Sequence, residues 1–173
     1  LYTFRSFENG VYRRDAELET SRDIKFRLAD IPLADGILRV DKVISPVETG
    51  FQLGHYALPD LGKGIHTSTR KIKGKTARII RNGEYQLAVV PVEGWEYSET
   101  VNATGLHPVS EKSAVISTRA RFSGEKILIT LQLWKKGDFT RKELSPVKSA
   151  RIAPDKSQVD ILLMDGSRKT VRF

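Results

Sequence analysis

The chain has 173 residues, a length that fits one domain spanning 1–173 with a real buried core. Hydrophobic residues make up 39% and no run nears the ~20 apolar residues of a membrane-spanning helix, so no membrane partner is expected. There is no cysteine, which excludes disulfides and thiolate metal sites and leaves the compartment open between periplasm, exterior and cytoplasm; the formal net charge of +8 favours anionic partners such as nucleic acid or acidic glycans.

The chain opens on Leu1 and "LYTFRSF", which already alternates like a strand, so it reads as a piece of a longer protein. "LYTFRSF" and "VYRRDAELET" flank Asn9-Gly10, the strongest short hairpin signal. "IKFRLAD" and "ILRVDKVIS" follow, joined through "IPLADG" with a turn at Asp35-Gly36. "TSTRKIKGKTARII" and "EYQLAVVPVEG" meet at Asn82-Gly83, "SAVISTRARF" and "KILITLQLW" at Ser123-Gly124, and "VDILLM" turns through Asp165-Gly166 into "RKTVRF". Ile127, Ile129, Leu131 and Leu133 share one face, as do Tyr85, Leu87 and Val89, and Val159, Ile161 and Leu163. No window carries a helical period. About ten or more strands with short turns predict an all-β antiparallel sandwich, with a closed barrel as the alternative.

Few constellations in this pattern carry chemistry. The run "RKIKGKTARIIR" holds six cations, and on a single strand Lys71, Lys73 and Lys75 would share one face. Such a row suits sulfates, carboxylates or phosphates, or it protects a sheet edge against aggregation. Aromatic platforms for stacking nucleic-acid bases are not interleaved with it, which argues against nucleic acid. Trp95 and Tyr97, two apart, would share a face and could stack on sugar rings, although Trp95 also suits core filling. Asp15, Glu17 and Glu19 alternate on one face, as paired glycosidase carboxylates or as a solvated surface.

His55 and Tyr56, set between glycines, could exchange protons or simply end a strand. With His66 and His107 they complete the histidine and aromatic candidates, but no HxH or HExxH spacing, GxxxxGK[ST] loop or GxSxG elbow is present, so neither metal nor cofactor is expected. Asn102-Ala103-Thr104 is a formal glycosylation acceptor.

The stretches "ILRVDKVISPVETGFQLGHYALP" and "HPVSEKSAVISTRARFSGEKILITLQLW" resemble the C-terminal sandwich of bacterial proteins that join a helical (α/α) toroid to a β-sandwich. In layout this is similar to heparinase II/III-type polysaccharide lyases, many relatives of which have no assigned activity. The resemblance covers about half the chain and rests on pattern. It implies that this sandwich follows an upstream helical catalytic domain, which holds most of the catalytic residues, and packs beside the cleft. No lyase motif matches residue by residue, so nothing is carried onto His55 or Tyr56.

The expected function is therefore a non-catalytic accessory domain of a carbohydrate-active lyase- or hydrolase-like protein, supporting its catalytic domain or binding acidic polysaccharide. The alternatives are a small glycan-cleaving enzyme using His55 and Tyr56, and a nucleic-acid-binding barrel.

Overall fold

A computed structural model of the chain describes residues 2–17, 24–56, 64–103 and 113–173, with the backbone alone described at 2–8, 14–17, 49, 51–56, 102–103 and 113. Twelve strands and no helix occur among the described residues. In chain order they are β1 (Tyr2–Glu8), β2 (Val11–Glu17), β3 (Lys25–Leu33), β4 (Gly36–Tyr56), β5 (Ile65–Ile72) and β6 (Lys75–Asn82). The rest are β7 (Tyr85–Glu93), β8 (Tyr97–Ala103), β9 (Ser113–Lys136), β10 (Val147–Ile152), β11 (Gln158–Leu163) and β12 (Arg168–Arg172). A nine-stranded sheet runs β1-β2-β3-β4-β9-β7-β6-β5, with β8 also paired to β9, and β10-β11-β12 form a second sheet. All pairings are antiparallel, and the molecule is an all-β sandwich as expected.

Hairpins form where the sequence places its strongest turn dipeptides. Asn9 and Gly10 both take positive φ, 52° and 74°, as the turn that matches strand twist requires, and Gly83 takes 60° at the β6–β7 turn. At the β11–β12 turn the Asp165 carboxylate accepts the Ser167 N–H at 2.8 Å. The β3–β4 turn differs from expectation by one position: Leu33 pairs with Gly36, so Ala34 and Asp35 make the turn and Gly36 starts the strand. Gly36 is there for space, since a Cβ would stand 2.0 Å from the Gln132 carbonyl oxygen of β9.

The larger correction is at Ser123-Gly124. No hairpin forms there, and β9 runs through it for 24 residues beside the 21-residue β4. Ser45 pairs with Gly124 and Thr49 with Phe122, so Pro46, Val47 and Glu48 leave the ladder opposite Ser123. Gly124 takes the left-handed φ of 75°, and the Ser45 hydroxyl donates to the Val47 carbonyl at 2.7 Å. Extra residues on one strand bend it and raise its twist, so this bulge is where both long strands turn.

The core shows how far they turn. Ile116 clusters with Val89, which pairs with Gln132 of the same strand β9. Sixteen residues of straight strand would separate Ile116 from Gln132 by roughly 50 Å. Leu128 and Ala120 of β9 likewise share one cluster with Phe26, Val43 and Trp95. The first half of β9, with its partners β8 and the end of β4, is therefore folded over one face of the sheet.

The opposite face carries the largest cluster. Ile127, Ile129, Leu131 and Leu133 point there together, as their alternation predicts, and meet Val159, Ile161 and Leu163 of the second sheet. Burying each such side chain is worth about 1.5–3 kcal/mol. This burial fastens the three-stranded sheet to the large one.

Candidate functional site

The basic run does not form one strand. Lys71 is the last residue but one of β5, Lys75 begins β6, and Lys73-Gly74 is the turn between the strands, with φ of 47° and 77°. A shared lysine face along a strand is thereby corrected to a hairpin tip. The three ammonium groups have different surroundings. Lys71 Nζ donates to the Thr76 hydroxyl at 2.8 Å. Lys73 Nζ reaches across to the other sheet and donates to the Val147 carbonyl at 2.8 Å. Lys75 Nζ makes no ion pair or hydrogen bond among the described residues.

The tip closes one side of a cleft of about 180 Å³ between the two sheets. Ile72, Val90, Leu131, Leu144 and Val147 give it an apolar lining, while Lys73, Lys75 and Lys148 bring positive charge and Glu93 a single carboxylate. Pyranose rings present apolar faces and charged substituents, and this lining offers both kinds of contact. Lys148 and the segment Leu144–Ala150 were not singled out by the sequence, where "LSPVKSA" reads as a connection.

Trp95 and Tyr97 do not form an exposed pair. Trp95 is buried ahead of β8, and its indole N–H donates to the Thr130 hydroxyl at 2.9 Å. It belongs to the core that joins the folded-over half to the sheet. Tyr97 is 46% exposed, with the Arg119 guanidinium 5.7 Å from its ring centre. Among the described residues the most exposed aromatics are instead Tyr85 and Trp134, at 55% and 53%, and Tyr12 of β2 is exposed as well.

His55 and Tyr56 lie on the backbone of β4 opposite Ile116 and Val115, and their side chains are outside the described residues. So are the side chains of Asp15 and Glu17, and all of Glu19, Thr104 and His107. His66 is exposed on β5. Among the described residues no three histidine or carboxylate side chains gather around a metal-sized space.

Near the cleft, residues 137–146 connect the sheets through a single turn. Thr140 N–H donates to the Glu143 carboxylate at 2.7 Å, and Glu143 N–H donates back to the Thr140 hydroxyl at 3.2 Å, a capping-box exchange. Lys135 of β9 donates to the same carboxylate. Lys135 and the two Thr140 bonds hold the Glu143 carboxyl down at about 2.

No family model matches this sequence and no curated protein matches it. Solved structures match by fold. Heparinase III superposes with a TM-score of 0.66 over 99% of this chain and 27% of its own, at 13% identity. A mutant of the heparan sulfate lyase HepC from Pedobacter heparinus gives 0.63 over 99% and 28%, at 10% identity. A further heparinase III, the BT4657 gene product, gives 0.62 over 99% and 27%, at 12% identity. The chain thus spans little more than a quarter of each of these proteins, and what it shares with them is a fold.

Proposed function

We propose that this chain is a non-catalytic β-sandwich accessory module of a carbohydrate-active protein, polysaccharide lyase- or hydrolase-like, that supports an upstream helical catalytic domain or binds acidic glycan. The observation that carries this reading is the match of nearly the whole chain to about a quarter of heparinase III. An accessory part is expected to align in this way, completely with a fraction of a larger enzyme. The basic tip and the apolar cleft beside it are compatible with an anionic sugar.

The test compares the 173-residue chain with the full-length protein that this reading implies, on a panel of acidic polysaccharides. Lyase cleavage creates an unsaturated sugar and hydrolysis a new reducing end, so both are followed. The chain alone is expected to show neither, and the full-length protein is expected to show one. Turnover by the chain alone, abolished by His55→Ala, would instead establish the small-enzyme alternative.

A further inference from the structure

The outer face of the three-stranded sheet carries a shallow dish of about 440 Å³, which adjoins the cleft beneath the lysine tip at Ser149. Strand register arranges its outward residues in two rows: Ser149, Leu162 and Arg168, then Arg151, Asp160 and Thr170. Their inward neighbours Val159, Ile161 and Val171 belong to the core, which fixes the direction of the outer six.

Most polar groups here are bound to one another. Asp160 accepts from the Thr170 hydroxyl at 2.8 Å and from the Gln158 amide at 2.9 Å on each oxygen. Gln158 in turn accepts from Arg172 Nε at 3.3 Å. The Thr170 and Gln158 bonds, then the charges of Arg151 and Arg172, keep the Asp160 carboxyl below its usual range and so ionised. The Arg151 and Arg168 guanidinium groups make no hydrogen bond or ion pair among the described residues, although Arg151 lies opposite Asp160 in register and its charge acts on that carboxylate. The two arginines occupy diagonal corners, their Cα atoms roughly 12 Å apart by strand spacing and rise. Half-buried Leu162 floors the dish between them, and the Ser149 and Thr170 hydroxyls take the other corners.

Three arginines against one carboxylate leave this face short of an anion. Arginine's fixed fork matches a carboxylate or sulfate in two parallel hydrogen bonds. No aromatic side chain points outward from these three strands, so nucleic-acid bases have no stacking platform. We propose that this dish binds an anionic saccharide unit, with Arg151 and Arg168 clamping its carboxylate or sulfate over Leu162. The proposal rests on the accessory-module reading and adds to it a second site, on the outer face of the small sheet and adjoining the cleft at Ser149.

The experiment measures binding of the 173-residue chain to dextran sulfate, polygalacturonate, dextran and oligothymidylate at low and moderate salt. Three forms are compared: wild type, Arg151→Gln with Arg168→Gln, and Lys71→Gln with Lys75→Gln. Wild type should bind at least one acidic polymer, weaken with salt and ignore dextran. The arginine variant should bind about tenfold or more weakly with an unchanged melting temperature, while the lysine variant keeps most of its affinity. Sulfate and carboxylate recognition separate by which polymer is lost. Equal affinity in wild type and arginine variant overturns the dish, as does an equal loss in the lysine variant or no acidic-glycan binding at all. Tighter binding of oligothymidylate than of either glycan overturns the saccharide assignment. None of these outcomes touches the cleavage comparison, which judges the accessory reading by itself.

Discussion

Lys71, Lys73 and Lys75 alternate in sequence yet sit in three environments, because Lys73-Gly74 takes a left-handed turn. That turn is less legible than Asn9-Gly10, since lysine has no short side chain favouring positive φ. The basic cluster was legible, but its geometry was not. The consequence is measurable one residue at a time. Lys73→Gln removes the ammonium that ties the hairpin to the Val147 carbonyl and should cost roughly 1 kcal/mol. Lys75→Gln touches no bond and should stay within about 0.5 kcal/mol. Urea melts of the two variants check this, and equal stabilities would remove the bridging role of Lys73. Trp95 shows the same limit from the other side. Its spacing from Tyr97 suggested a shared exposed face, but β8 begins only at Tyr97, so the period-two rule does not reach Trp95.

At the scale of elements, the alternation in β9 and β11 was legible because each has a buried face, and a one-residue slip would expose it. The continuity of β4 and β9 was not. Ser123-Gly124 has the composition of a turn, and only pairing with β4, some eighty residues earlier, makes it a bulge. The turn at "TRKE" follows the capping-box pattern and supplies a pH-dependent element. The Glu143 carboxyl falls from an ordinary 4.5 to about 2, so folding stabilises its charged form. That stability is fully present above pH 4.5 and is lost as pH falls through about 2. Glu143→Gln should therefore destabilise by roughly 1 kcal/mol near neutrality, a figure kept small because the group is a third exposed. Between pH 4.5 and 2 the melting temperature of wild type should fall more steeply than that of Glu143→Gln, until the two converge. Parallel profiles would show that the Lys135–Glu143–Thr140 contacts contribute nothing to acid stability.

At the scale of the whole molecule, the candidate sites depend on residues that only the fold assembles. Lys75 and Lys148 line one cleft from two sheets, and Arg151 and Arg168 line one dish from two outer strands of three, so composition revealed the basic excess without its location. What holds these surfaces in place is one continuous apolar cluster reaching from Val11 and Val40 in the large sheet to Val171 in the small one. Polar bridges follow the same junction: Lys42 pairs with Glu125 and donates to the Lys156 carbonyl, while Arg70 donates to the Phe139 carbonyl. Every buried apolar side chain of the three-stranded sheet belongs to this shared cluster, so that sheet lacks the burial to persist alone, and its loss would strip one face of the large sheet. Unfolding is therefore expected to be a single transition. Ile161→Ala, in the small sheet, should cost about 3 kcal/mol and lower the melting temperature by about 6–12 °C. The decisive reading comes from Trp95, on the far side of the large sheet. In a Trp134→Phe background, which silences the exposed indole, Trp95 fluorescence and far-UV circular dichroism should shift together by the same amount. If Trp95 kept its original midpoint while the dichroism fell earlier, the three-stranded sheet would be a separate folding unit and 1–173 would not be one domain.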